Sequence, residues 1–239
     1  MSTEIAKTDS NTSYLARYND NRDPYEAFAS EGGPGIQGRL LTCTKGEWGV
    51  GADKEPIKDG TKCLAIVDTM GRGWFRWWNG VVTDTVFGLV KDNFLVPHRF
   101  SLGDNEEDQW EKDPAGNPRD PWTRTYRMVL VEMTAPHGDL TFTSSAWGAQ
   151  LALQDLARAY SADKHRYPDA YPVVELSTKT RQSKSYGKLK GPWFTVTGWA
   201  TVEDVRAGRK TKAKAKVLTK EETAAELNDE IPQWGAATK

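Results

Sequence analysis

The sequence predicts a mainly β fold, a barrel or a sandwich with one inserted helix, and two observations carry that expectation. Eight short stretches alternate with a period of two residues, at 39–44, 62–68, 73–78, 81–90, 125–133, 139–143, 173–177 and 193–201. They are rich in β-branched and aromatic side chains, and Gly, Pro, Asn or Asp punctuates them. Against these, only one stretch has the 3.6-residue period of an amphipathic helix. An α/β sheet would need a helix between most successive strands, so that class is set aside. The sharpest local signal is Trp77-Trp78-Asn79-Gly80-Val81-Val82, because Asn-Gly accepts the positive φ angles of a two-residue hairpin turn.

The helix is expected over residues 145–162. Ser144 or Ser145 can cap it, and Ala146, Ala149, Leu153, Leu156, Ala157 and Tyr160 share one face. One helix inserted between strands is the arrangement of an OB-type barrel, with a β-sandwich as the alternative. The expected OB-like domain spans residues 31–206. Residues 1–30 form a partly disordered arm anchored by Tyr14, Leu15, Tyr18, Tyr25 and Phe28. Residues 207–239 form a disordered basic linker and acidic tail. Residues 101–122 hold seven acids and two Asp-Pro pairs, which reads as a long acidic surface loop. Its acids lack the spacing of a calcium loop, so no metal is expected.

The chain has 239 residues, of which 38% are apolar, below the roughly 45–50% of an average globular chain. No window approaches the roughly 18 apolar residues of a membrane span, and the first residues hold no apolar run for a signal peptide. A soluble cytoplasmic protein without membrane partners is therefore expected. Cys43 and Cys63 have no second pair to complete a zinc site and are expected to be reduced. Gly33-Pro-Gly35-Ile-Gln-Gly38 matches a dinucleotide fingerprint in letters only, since no strand precedes it and a strand rather than a helix follows. His98, His137 and His165 sit in loop-like contexts with no nucleophile elbow, and Ser161 and Lys164 fit Ser-x-x-Lys without companions. No enzyme and no cofactor is expected.

Net charge is −1, but its distribution is uneven. Residues 163–220 hold fourteen Lys and Arg against five acids, and residues 221–234 then hold five acids and no base. Ten tryptophans accompany this. In 74–78, alternation places Trp74, Arg76 and Trp78 on one face and Phe75 and Trp77 on the other. In 193–199 it places Trp193, Thr195, Thr197 and Trp199 together. A core needs one face of each strand, and the second face offers flat rings beside cations. Single-stranded nucleic acid uses both: bases stack on the rings at roughly 1–3 kcal/mol each, and cations neutralise phosphates. The acid-free stretch 178–191, with Lys179, Arg181, Lys184, Tyr186, Lys188 and Lys190, is expected to close over the strand. Packing of the same rings under the helix or the acidic loop is the alternative.

The tail residues Asp229, Glu230, Ile231 and Pro232, with Trp234 after Gln233, resemble the acidic Ile-Pro-Phe ends of bacterial and phage single-stranded-DNA-binding proteins. In this sequence the aromatic is Trp and five residues follow it. That resemblance implies an OB fold, single-stranded DNA as ligand, and replication or recombination proteins as partners of the tail. More broadly, Asp120-Pro121-Trp122 and Tyr171-Pro-Val-Val-Glu-Leu176 resemble proteins carried by tailed phages and prophages. The expected function is sequence-nonspecific binding of single-stranded DNA through Trp74, Arg76, Trp78, Trp193, Trp199 and the basic arm. A phage structural or interaction protein with a Trp-rich interface, such as a homodimer, is the alternative. An enzyme using a metal at the Asp104–Asp113 loop comes third.

Overall fold

The structure, a computed structural model, describes residues 36–183 and 187–209. The arm at 1–30, the arm residues Lys184 and Tyr186, and the tail residues 229–234 lie outside the described residues. Nine strands and two helices follow one another: β1 (Arg39–Thr44), β2 (Glu47–Val50), β3 (Glu55–Pro56), β4 (Lys62–Trp78), β5 (Val81–Leu89), β6 (Trp122–Glu132), β7 (Asp139–Ser144), α1 (Trp147–Asp163), β8 (Tyr171–Ser183), β9 (Gly187–Ala200) and α2 (Val202–Arg206). The fold is mainly β, as the alternation predicts, and α1 falls within two residues of its expected place.

All strands belong to one open mixed sheet in the order β3-β2-β1-β7-β6-β4-β8-β9, with β5 also on β4. The only parallel neighbours among these strands are β1 and β7. The expected barrel closure is missing: among the described residues, no backbone ladder joins β9 to the β3–β1 flank. Within the sheet, β4 is shared between two neighbours along one edge. Its start, Lys62–Leu64, pairs with β8, while Gly71–Trp78 pairs with β5 along the same edge. The flanks meet through side chains instead. The Trp48 indole N–H donates to the Ser177 carbonyl at 3.0 Å, and its ring packs 5.7 Å from both Phe142 and Phe194.

β4 is a single strand of 17 residues where two strands, 62–68 and 73–78, are expected. Glycine does not break it. A Cβ at Gly71 would fall 2.3 Å from the Phe87 ring, and one at Gly73 would fall 2.2 Å from the Val86 carbonyl oxygen. Both glycines admit the close approach of β5. Between the halves, Ile66 stands opposite Val129 and Gly71 opposite Arg127, so Val67–Met70 bulge out of the β4–β6 ladder. Thr69 closes that bulge. Its buried hydroxyl donates to the Ile66 carbonyl at 2.6 Å and accepts from the Val129 N–H at 2.8 Å. The hairpin turn holds as expected, with Asn79 at φ 50° and Gly80 at φ 74°.

The sheet is apolar on both faces. On one, Leu41, Met128, Leu130, Phe142, Val174, Leu176 and Phe194 pack under Ala149, Ala152, Leu153 and Leu156 of α1. On the other, Leu64, Ile66, Val129, Val131 and Val173 pack under Val205 of α2. Each buried Leu or Phe contributes roughly 1.5–3 kcal/mol. α2 is held by Thr201, whose hydroxyl accepts from the Asp204 N–H at 3.1 Å, and by the Arg206–Asp139 ion pair at 2.8 Å. The expected serine cap of α1 is not made: Ala146 is the N-cap, without a side-chain cap hydrogen bond, and the Ser144 hydroxyl accepts only from the Ala146 N–H, outside the helix, at 3.2 Å.

Because Thr69 satisfies two buried backbone groups, Thr69→Val orphans both, and stability should fall by about 2 kcal/mol. Thr69→Ser, which keeps the hydroxyl, should lose less than half of that. Urea unfolding of the two variants beside the parent measures the difference, and equal losses would assign the effect to packing.

Candidate nucleic-acid interface

The alternation in β4 sets Trp74, Arg76 and Trp78 on one face as expected, but the 91–121 segment folds back over them. Trp74 is half-buried, and its indole N–H donates to the Pro97 carbonyl at 3.0 Å. Arg76 grips Asp104 with Nε–Oδ2 at 2.8 Å and Nη2–Oδ1 at 3.1 Å, a two-pronged pair. Asp104 also accepts from the Trp122 indole N–H at 2.9 Å, and its backbone carbonyl accepts from Trp110 and Arg99. Arg99 in turn pairs with Asp120 at 2.7 Å. The acidic loop is thus a folded strap, and its carboxylates neutralise this part of the surface. Of the three, Trp78 alone is open, at 38% exposure. This corrects the expected stacking face: Arg76 is committed to Asp104, and Trp74 to the strap.

The Arg76 hydrogen bonds, helped by the Trp122 N–H, hold the Asp104 carboxyl below its usual range. Among the described residues, no three His, Cys, Asp or Glu side chains are grouped to hold a metal ion, the acids of this loop included. Burial pushes the free thiols up, Cys43 to about 11 and Cys63 to about 12, so both stay protonated near neutral pH. No helix among the described residues is long and apolar enough to cross a membrane.

Trp199 is also corrected. Val174 stands opposite Val196 and Val173 opposite Gly198, so Thr197 is an extra residue in β9. One extra residue reverses the alternation and turns Trp199 to the side opposite Trp193. There it is sealed at 7% exposure, stacked on Tyr167 at 4.7 Å and on Tyr160 at 5.9 Å.

The basic arm is the remaining part of the expected site. It is a continuation of the β8–β9 ladder rather than a loop, paired as far as Ser183 and Gly187. Lys179 stands opposite Gly191 and Arg181 opposite Leu189, so both cations share a side with Trp193, which faces Ser177. The Lys179 Nζ lies 4.1 Å, and the Arg181 Cζ 5.2 Å, from the centre of the half-buried Trp193 ring. Arg181 also donates to the Gly148 carbonyl at 3.0 Å, tying the arm to the first turn of α1. Lys188 and Lys190 are exposed and alternate with Leu189, so the ladder turns them to the other side of the ribbon. The aliphatic stem of Lys190 crosses Gly46, where a Cβ would sit 2.5 Å from it.

Two residues of this surface escape the alternation reading. Trp147, next to the carbonyl that Arg181 grips, is 57% exposed, and Leu189 is 44% exposed. Trp147 was legible in principle, as a tryptophan on the side of the helix away from Ala149, Leu153 and Leu156. A separate apolar cleft of about 350 Å³ lies elsewhere on the sheet, lined by Ile36, Leu40, Phe75, Trp77 and Val82 among others. It is where the second aromatic face of β4 emerges. No protein-family model, no curated protein and no solved structure matches the chain.

Asp104, depressed when folded, contributes stability above the unfolded carboxyl value of about 3.9 and loses it as pH falls through the lower folded value. Asp104→Asn should therefore destabilise at pH 7, by about 1 kcal/mol because the pair is solvent-screened. The gap from the parent should close below about pH 4. Urea unfolding at both pH values reads this, and a pH-independent gap would assign the loss to the indole contacts instead.

Proposed function

We propose that the protein binds single-stranded DNA across the β8–β9 arm, with Trp147 as the exposed stacking ring and Lys179, Arg181, Lys188 and Lys190 as the phosphate contacts. The observation that carries this reading is the absence of any acid from 176 to 202 in a stretch that sets cations around Trp193 and beside Trp147. Elsewhere on the described surface, cations such as Arg76 and Arg99 are neutralised by carboxylates. Trp193 serves as the floor on which Lys179 and Arg181 lie, since a cation over an indole face holds its position without a counter-charge. Bases then stack on Trp147, and the two sides of the ribbon track the backbone. The interface is narrower than the one expected from sequence. It excludes Trp74, Arg76 and Trp199, and Trp78 stands apart at the β4–β5 turn. Lys184 and Tyr186, outside the described residues, belong to the same proposal. So does the tail: Asp229, Glu230, Ile231, Pro232 and Trp234 compete with DNA for the arm and, once displaced, engage replication or recombination proteins.

Titration with oligo-dT at low salt should quench tryptophan fluorescence, with affinity falling steeply as salt rises. Trp147→Ala should weaken binding about tenfold. Replacing Lys179 and Arg181 by Gln should lower the salt slope by about 2, whereas Trp78→Ala should leave binding unchanged. No quench and no mobility shift at micromolar protein would overturn the reading. Removing residues 221–239 should tighten binding, and looser binding would refute competition by the tail.

A second reading, an interaction protein that pairs with itself or another protein, is favoured by the apolar cleft around Phe75 and Trp77. An oligomer that persists without nucleic acid and dissociates on Trp77→Glu would select it.

A further inference from the structure

A small cavity lies between α1 and the β4–β6 pair, about 100 Å³ in volume. Its polar lining is Arg72, Arg124, Tyr126, Gln150 and Gln154, and no acidic residue lines it. The two arginines are brought together by the ladder: Arg72 stands opposite Tyr126 and Trp74 opposite Arg124, so they share a face as diagonal neighbours. The two glutamines come from the facing helix, one turn apart.

How these guanidinium groups are held distinguishes them. Seven described arginines, at 39, 76, 99, 158, 166, 206 and 209, pair with carboxylates. Arg72 instead gives one Nη2 to the Phe94 carbonyl at 3.1 Å. Arg124 lies over two rings, 5.2 Å from the Trp74 centre and 5.7 Å from that of Tyr126. In each, Nε is sealed from solvent without a hydrogen-bond partner among the described residues. A buried donor left unpaired costs about 1–3 kcal/mol, and two cations sharing one cavity repel each other. A single anion with several acceptor oxygens offsets that repulsion, because the guanidinium fork matches the oxygen spacing of phosphate and carboxylate. The volume selects among such anions. At about 100 Å³ the cavity is of a size to take one tetrahedral oxoanion.

We propose that this cavity is a binding site for a single phosphate-type oxoanion, gripped by Arg72 and Arg124 and faced by the amides of Gln150 and Gln154. It is a site apart from the basic arm and does not depend on the DNA-binding reading. The phosphate could be free inorganic phosphate or the terminal phosphate of an oligonucleotide.

The test uses the full chain, with inorganic phosphate titrated against chloride at constant ionic strength and followed by thermal unfolding and by ³¹P line broadening. The parent should show a saturable rise in Tm with phosphate alone. Arg124→Met should weaken the response at least tenfold. Gln154→Glu, which supplies a carboxylate to the same arginines, should abolish it while leaving the fold intact, so it serves even if Arg124→Met unfolds. A response no greater in phosphate than in chloride would overturn the proposal, since the cavity would then take water only. An undiminished response in Gln154→Glu would also overturn it, by placing the anion elsewhere. Competition by a 5′-phosphorylated oligonucleotide, but not its unphosphorylated twin, would identify the strand end as the source, and its absence would identify free phosphate.

Discussion

The fork in β4 is the constraint from which the rest of the architecture follows. One strand serves three neighbours: β6 runs along one edge, and β8 and β5 divide the other. The division is possible because Val67–Met70 leave the ladder, and Thr69 stops that excursion from leaving buried N–H and C=O groups unpaired. Beyond the bulge, two glycines let β5 close in. The sheet ends in free edges among the described residues, and its two flanks meet through Trp48, Phe142 and Phe194.

Charge follows the same geometry. The half of β4 beyond the bulge, paired with β5, carries Arg76 into an acidic strap, and the result is a closed, electrically balanced surface. The half paired with β8 leads into a ribbon that meets no acid for 27 residues, from 176 to 202. A net charge of −1 therefore conceals a separation: carboxylates and arginines cancel around Asp104, and among the described residues no carboxylate pairs with the cations along the arm. The cavity under α1 is a third arrangement, in which aromatic rings and a carbonyl, rather than carboxylates, hold the guanidinium groups in place.

What could be read from the residues was whatever depends on near neighbours. The Asn79-Gly80 turn needs only its own φ angles, and α1 needs only its own apolar stripe, so both were legible. The continuity of β4 was hidden because Gly71 and Gly73 look the same whether a chain breaks or another strand approaches. Trp199 was misplaced because one additional residue, Thr197, inverts every position after it, and nothing in its side chain announces the shift. The Arg76–Asp104 pair joins residues 28 apart through a strap whose acids look like a solvated run. Trp147 lies on the side of the helix away from its buried stripe, where an apolar period gives no sign of it. Arg72 and Arg124 meet only because two strands and a helix converge.

One further consequence belongs to the outer margin of β9. This is the last strand of the sheet, and along that margin its amides and carbonyls have no neighbouring strand among the described residues. Such a border invites a second chain to add itself and seed aggregation. Pro192 removes one of the donors an incoming chain would need, and Lys188 and Lys190 set repelling charges beside it. Cations suited to attracting a polyanion are thus also the residues that keep identical molecules from zipping together. Trading them for neutral side chains would risk solubility.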